Sequence, residues 1–334
     1  HPPPPATPPR RREVIHDSAE GGGVDMSGFD IGYKGDGESS QGVFPAVLRN
    51  PKVLIAFAVA AVLITTVIFA VMSGRDNSSE LSTSPKYEFK TPDTVTIAGK
   101  TIQTDSDYID ELADTGVSDI SDLQYCLLVR SLMINNNSIS DISPISGCIS
   151  IQTLDFSTNQ VSDISALAFL TQLSDLDMSG NSVSDLSSLG RLRQLTRLSA
   201  SNNQITDISP IAGVSSLRQL LVSDNGITDL FPVAGLTELT TLEIARNRVT
   251  DLTPLSGLSN LSTLDLTGNG ITDIRPLGSL KSLSILNLSD NPVKDVSVLS
   301  GLKNLIELNL SGTSVSAEDV EQLRQALPDC AIRR

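Results

Sequence analysis

The chain has 334 residues, a formal net charge of −15 at pH 7 and two histidines, His1 and His16. Catalytic dyads and zinc sites that need histidine are therefore excluded from everything after His16. No P-loop or dinucleotide-binding glycine motif occurs, so we expect a protein that is not an enzyme and uses no cofactor. Because acidic residues outnumber basic ones, we also expect no binding to nucleic acid.

The N-terminal part of the chain contains two segments of opposite character. Residues 1–50 are rich in proline and glycine and hold too few apolar residues for a core, which predicts a disordered tail. Residues 53–72, VLIAFAVAAVLITTVIFAVM, carry no charge and are long enough, at about 1.5 Å per residue, to cross roughly 30 Å of hydrocarbon. They predict a single transmembrane helix; a buried core helix is the alternative, but no amphipathic face is visible.

The charges flanking 53–72 indicate its orientation. Arg49 and Lys52 precede the segment, whereas Arg75 after it is followed at once by Asp76. The positive-inside rule then places the tail in the cytoplasm and the rest of the chain outside the cell, as a single-pass plasma-membrane protein. Residues 73–92 are predicted to be a polar linker.

Residues 129–313 repeat a 22-residue unit, of which LTTLEIARNRVTDLTPLSGLSN (239–260) is one copy. Leucines at fixed spacing followed by an asparagine are the signature of leucine-rich repeats. Alternating apolar residues indicate one short strand in each unit, and the stacked strands predict a parallel β-sheet on the concave side of a curved, α/β-type solenoid.

Two polar columns accompany the leucines. The asparagine follows the strand, where its side-chain amide is expected to satisfy backbone groups of the turn. The aspartate four residues later is expected to cap the turn on the convex side. A calcium ladder is the alternative for the aspartates, but capping explains each of them without a metal, so we predict no metal site. The aspartates are Asp141, Asp163, Asp185, Asp207, Asp229, Asp251, Asp273 and Asp295.

Both ends of the array depart from the repeat, as solenoid caps must. Residues 93–128 are predicted to form an N-terminal cap and a first, irregular repeat, with a hairpin over 95–102. Residues 314–334 are predicted to form a C-terminal cap, made of a helix that Ser316 caps and a short closing strand.

Cys126 and Cys148 are 22 residues apart in one column of the repeat. A disulfide between stacked units and two reduced thiols in the core are both compatible with this spacing, and we favour the reduced thiols. Cys330 then has no partner by elimination.

The outward positions of the strands vary on a constant scaffold, which makes them the natural place for ligand specificity. From Arg130 onwards these positions hold no Trp, Tyr or Phe, so we expect a weak or polar interface, or an array that mainly spaces and stiffens. The outward carboxylates are not predicted to be catalytic, because a shallow sheet offers no deep apolar pocket to raise one pKa. The predicted ligand-binding residues are Arg197, Arg218, Leu221, Glu243, Asp177, Asp155 and Asp265.

The repeat resembles the internalin-type repeats of bacterial cell-surface proteins. The motif N-x-I-x-D-I-x-P-L, as in NNQITDISPIAGV (202–214), carries the resemblance, which covers roughly 107–334. It implies a curved, extracellular recognition domain that is often used for adhesion. The chain departs from that family in its lack of a cleavable signal peptide, an L-P-x-T-G wall anchor and an immunoglobulin-like domain after the repeats.

Two functions remain open at this stage. In the first, which we prefer, a membrane-anchored extracellular protein binds a protein or glycan ligand through its concave face. In the second, the repeats are the sensor ectodomain of a receptor or kinase whose cytoplasmic domain lies upstream of His1.

Overall fold

The structure is a computed structural model that describes residues 91–334. The predicted tail, the predicted transmembrane helix at 53–72 and nearly all of the predicted linker lie outside the described residues. Within 91–334, the one α-helix has 10 residues, and no helix there has the length and hydropathy needed to cross a membrane.

A parallel sheet of eleven strands, ordered as in the sequence from β3 to β13, runs the length of this region. The predicted leucine-rich-repeat solenoid with a parallel sheet is confirmed. From β4 onwards each strand has three residues, and from β4 to β12 the middle position is the buried apolar residue of its repeat. The strands are β3 (Tyr108–Ile109), β4 (Ser131–Met133), β5 (Thr153–Asp155), β6 (Asp175–Asp177), β7 (Arg197–Ser199), β8 (Gln219–Leu221), β9 (Thr241–Glu243), β10 (Thr263–Asp265), β11 (Ile285–Asn287), β12 (Glu307–Asn309) and β13 (Ala331–Arg333).

A short 3₁₀ helix forms the opposite side of each repeat. The column aspartate precedes it and accepts a hydrogen bond from the backbone N–H two residues on, as Asp207 does from Ser209 at 2.7 Å. The predicted capping role is confirmed at all eight column aspartates. The 3₁₀ helices are Ser121–Tyr125, Ser143–Gly147, Ser165–Phe169, Ser187–Arg191, Ser209–Gly213, Phe231–Val233, Thr253–Gly257, Arg275–Ser279 and Ser297–Gly301.

The core is a continuous stack of apolar side chains between the sheet and the 3₁₀ helices. In the central repeat, Leu239, Leu242, Ile244 and Val249 have no exposed surface. Burial of each such side chain stabilises the fold by roughly 2 kcal/mol. The 22-residue period therefore places the same apolar contacts at every level of the stack.

The column asparagines join neighbouring repeats. Asn225 accepts a hydrogen bond at Oδ1 from the N–H of Ile205 at 2.9 Å, and its Nδ2 donates to the carbonyl of Ala200 at 3.0 Å. Both partners belong to the preceding repeat, while a further bond to Val222, at 3.2 Å, closes the turn within its own repeat. The expected turn role is confirmed, and the same amide also bridges two repeats.

The two ends of the stack are covered by different elements. At the front, β1 (Thr94–Ile97) and β2 (Lys100–Gln103) form an antiparallel hairpin whose turn residues, Ala98 and Gly99, both have positive φ. At the back, α1 (Ala317–Ala326) is capped by Ser316, whose side chain accepts from a backbone N–H in the first turn. Strand β13 then pairs with β12 and ends the sheet.

The cysteines are buried and unbonded. Burial raises the pKa of Cys126 to about 11 and that of Cys148 to about 12, so both thiols are protonated at neutral pH. They pack as small apolar side chains in the first two repeats, as favoured from the sequence.

Candidate ligand-binding face

The outward side chains of β3 to β12, with the residue directly before each strand, form one continuous surface, here called the sheet face. In β9, for example, Thr241 and Glu243 flank the buried Leu242 and are partly exposed. Because parallel strands lie about 4.8 Å apart, side chains at equivalent positions of adjacent repeats are direct neighbours. The sheet face is therefore a set of ladders on a rigid backbone.

All seven residues predicted to bind a ligand lie on this sheet face. The parallel pairing makes Asp155 a direct neighbour of Asp177, on β5 and β6. It also places Leu221, Glu243 and Asp265 side by side on β8, β9 and β10. The two arginines are the residue that begins β7 and the residue directly before β8.

Arg197 is tied to two carboxylates of the neighbouring strand. Its guanidinium makes ion pairs with Asp175 at 3.0 Å and with Asp177 at 3.3 Å, and its side chain is 32% exposed. Arg218 is more exposed and pairs loosely with Glu238 at 3.7 Å. The charge of Arg197 is therefore already balanced within the sheet face, whereas that of Arg218 is more accessible.

The aspartates at the ends of three strands are held in position by the chain itself. Asp155 accepts hydrogen bonds at Oδ1 from the N–H and the hydroxyl of Ser157, at 2.9 and 2.6 Å. Thr267 makes the same pair of bonds to Asp265, at 2.9 and 2.5 Å. Asp177 is bound in this way by Ser179. These carboxylates are thus preoriented, and the D-x-[ST] spacing that produces the turn is a sequence signal for this arrangement.

Glu243 and Asp265 carry negative charge that no direct ion pair among the described residues balances, although Arg197 attracts Glu243 and Arg246 attracts Asp265 at longer range. Burial, and after it the charge of Asp265, raise the pKa of Glu243. Within residues 91–334, neither carboxylate forms an ion pair with an arginine or a lysine. This part of the surface differs from the β6–β7 part, where Arg197 supplies the counter-charge.

Three apolar side chains on the sheet face were not selected from the sequence. Ile285 is 37% exposed and Ile306 57% exposed, at positions that hold threonine or serine in the two preceding repeats. Tyr108 is 49% exposed and pairs with Ser131, 23 residues later. That spacing is one residue longer than the 22-residue repeat, so the repeat alignment does not place Tyr108 at an outward strand position. The sheet face therefore contains an aromatic residue that the sequence alignment did not show.

One edge of the sheet face is a ladder of residues with positive φ, each directly before the column asparagine position. Side chains along this ladder contact both neighbouring repeats: Arg246 makes ion pairs with Asp224 of the preceding repeat, and a Cβ atom at Gly268 of the next repeat would lie 3.3 Å from Cγ of Arg246. A Cβ atom at Gly312 would overlap the carboxylate of Asp290. Glycine is therefore required where the preceding side chain occupies the space.

Comparison with known families identifies the repeat. The family model for leucine-rich repeats (two copies) matches more than half of the chain. The matched residues are 129–169, 171–213, 193–235, 215–257, 237–279 and 259–301. A comparison with curated proteins gives no match.

Solved structures give the same result. Internalin C2 from Listeria monocytogenes is 37% identical over 58% of this chain and 85% of its own, with a TM-score of 0.52. A leucine-rich-repeat protein from Leptospira interrogans is 26% identical with a TM-score of 0.62, over 65% of this chain and 57% of its own length. The ectodomain of the Arabidopsis thaliana receptor kinase GASSHO1/SCHENGEN3, in complex with CASPARIAN STRIP INTEGRITY FACTOR 2, is 20% identical with a TM-score of 0.56, over 62% of this chain and 27% of its own, and shows the fold alone.

Proposed function

This chain belongs to the leucine-rich-repeat family, with repeats like those of the internalins, and we propose that it binds a protein ligand through the sheet face without catalysing a reaction. The sheet face corresponds to the predicted concave face. The observation that carries the proposal is its preorganised surface. Polar side chains such as Asp155 and Arg197 are held by hydrogen bonds and ion pairs before any ligand arrives.

A non-catalytic role agrees with the chemistry of the exposed carboxylates. Paired carboxylates catalyse when one is kept protonated in a closed, apolar site and the other faces the substrate. Asp155 and Asp177 are engaged by hydroxyl groups, and Asp177 by Arg197 as well. Glu243 and Asp265 lie on an open sheet and not in a closed pocket, which suits recognition rather than bond cleavage.

Photo-crosslinking in intact cells tests the binding face directly. We place p-benzoylphenylalanine at Leu221 on the sheet face, and at Phe231 as the matched control, because Phe231 is 74% exposed on the 3₁₀ side of the solenoid. Irradiation is expected to give protein adducts from Leu221 and none from Phe231. Adducts from Phe231 alone would place the ligand on the opposite side, and adducts that only a glycosidase removes would make the ligand a glycan.

A variant measurement follows once an adduct identifies the ligand. Exchange of Arg218 and Leu221 for serine is expected to weaken its binding by roughly 1–3 kcal/mol, since Arg218 is exposed and Leu221 partly exposed on the sheet face. Phe231→Ser is the control and is expected to leave the dissociation constant unchanged.

We further propose that residues 53–72 anchor the chain as a single transmembrane helix, with the N-terminus in the cytoplasm and the repeats at the bacterial cell surface. The uncharged twenty-residue segment and the preceding Arg49 and Lys52 support this topology. Protease added to intact cells is expected to release a fragment containing residues 95–334. If that fragment is cleaved off only after lysis, the outward orientation is wrong.

A further inference from the structure

We propose that the C-terminal half of the sheet face binds a partner segment in which an apolar side chain is adjacent to a lysine or an arginine. The proposed contact surface, here called the apolar–acidic patch, consists of Glu243, Asp265, Ile285 and Ile306. It deepens the proposed function by naming the chemistry of the partner, and it rests on that function.

The apolar half of the patch is formed by two isoleucines on adjacent strands. Ile285 lies in β11, and the residue paired with it in β12 is Glu307. Ile306 directly precedes Glu307, and its N–H donates to the carbonyl of Ser284 at 2.9 Å. The two side chains are thus neighbours on a surface that is otherwise largely polar, and both are exposed. Covering them with an apolar group of a partner removes this surface from water.

The acidic half of the patch begins on the next strand. Thr263 and Asp265 of β10 pair with Ile285 and Asn287 of β11, so Asp265 lies diagonally beside Ile285. Glu243 is the neighbour of Asp265 on the other side. Two like charges at this spacing repel each other. Arg197 and Arg246 offset this repulsion only at longer range, because neither forms an ion pair with Glu243 or Asp265. A cation from outside would relieve this repulsion.

Asp265 is already oriented for such a partner. Thr267 occupies its Oδ1 through the backbone N–H and the hydroxyl, and no described group hydrogen-bonds to Oδ2. Lysine and arginine match both halves of the patch, since their aliphatic stems pack on apolar groups while the charged end reaches a carboxylate. An isolated metal ion would not use the isoleucines, and an acidic or purely polar segment would use only one half.

The patch differs in charge and polarity from the β6–β7 part of the sheet face. On β6 the two carboxylates, Asp175 and Asp177, face Arg197 of β7, which would repel an incoming cation. The Thr241 and Thr263 positions, equivalent to Ile285, offer no comparable apolar surface. Around β9 to β12, exposed apolar side chains therefore lie beside carboxylates that form no ion pair with any described residue.

Peptide binding to the full chain tests the proposal. The probe is a fluorescein-labelled peptide of alternating leucine and arginine, compared with a serine–arginine peptide of equal charge and a leucine–glutamate peptide. We expect the leucine–arginine peptide to bind at least about tenfold more tightly than either control in fluorescence anisotropy. Equal binding of the serine–arginine peptide would mean attraction to the net negative chain only, and would overturn the proposal.

Two variants locate the peptide on the patch. Ile306→Ser and Asp265→Asn are each expected to weaken binding about fivefold or more. Asp265→Asn keeps an oxygen to accept from Thr267, so it removes the charge without removing the turn. The control is Ile149→Ser, which changes an isoleucine of similar exposure outside the sheet face and should bind as the parent chain does. Unchanged binding in both patch variants would overturn this inference, whereas adducts from Leu221 would still support the proposed function.

Discussion

Asn291 donates a hydrogen bond from Nδ2 to the carbonyl of Leu266, at 2.8 Å, in the repeat that precedes its own. The same side chain accepts the N–H of Ile271 at 3.1 Å and is only 1% exposed. One buried amide therefore replaces water for polar backbone groups of two repeats at once. The repeats are linked by these amides as well as by the sheet and the leucines.

Replacement of Asn291 by alanine is expected to destabilise the fold by roughly 2–3 kcal/mol, because several buried backbone groups lose their partners. Denaturant unfolding of the full chain, followed by circular dichroism, measures this. The control is Asn260→Ala, which removes a single exposed hydrogen bond to Thr237 and should cost less than about 1 kcal/mol. Equal losses in both variants would contradict the bridging role of the buried amide.

Arg197 and Arg218 are expected to differ in their effect on stability. Arg197→Met leaves Asp175 and Asp177 close together without a counter-charge, so a loss of about 1–2 kcal/mol is expected. Arg218→Met removes only the long, exposed contact with Glu238 and should change stability by less than about 0.5 kcal/mol. Unfolding in low and high salt measures both, and the effect of Arg197→Met should shrink as salt screens the two carboxylates.

Stability is expected to fall in acid as the capping aspartates are protonated. Hydrogen bonds from the side chain and backbone of Arg275 lower the pKa of Asp273 from 3.8 to about 2, and those from Thr253 and Ser297 lower the pKa values of Asp251 and Asp295. A lowered folded-state pKa stabilises the fold above the ordinary pKa, and this contribution disappears as pH falls from about 4 to about 2.

The matched variant for acid unfolding exchanges Asp251, Asp273 and Asp295 for asparagine. Asparagine retains an oxygen that can cap the turn but does not titrate, so the melting temperature of the variant should depend less on pH in that window. A melting curve with the parent's pH dependence would show that other groups control acid unfolding.

Glycine is expected to be required at position 312. Gly312 has φ of +71°, and a Cβ atom there would overlap the Asp290 side chain. Gly312→Ala should therefore cost at least about 1–2 kcal/mol, from the left-handed backbone alone. Gly257→Ala is the control, since its added Cβ meets no atom within 4 Å and its φ is not positive. Similar unfolding midpoints for the two variants would show that the backbone and the Asp290 side chain accommodate the added methyl group without loss of stability.

The repeat could be predicted because it depends on local, periodic patterns. Leu242 and Ile244 alternate with polar residues on one strand, and the 22-residue spacing brings equivalent positions of adjacent repeats into contact. Asp207 caps a turn two residues away, which is also a local relationship. Tyr108 was missed because one extra residue in the first repeat shifts its register, and only the pairing with Ser131 reveals it.

The sequence by itself determined the family, the parallel sheet and the side of each strand that faces outward, because burial of a periodic apolar column allows only one register. The tertiary structure alone decided which outward residues are free to bind. Arg197 looked available in the sequence but is paired across strands, whereas Ile285 and Asp265 became a joint surface only when β10 and β11 were placed side by side. Such contacts form between side chains about 20 residues apart in the chain, on adjacent strands. The repeat pattern predicts where each side chain lies on the sheet, but it does not predict which neighbouring side chain it contacts.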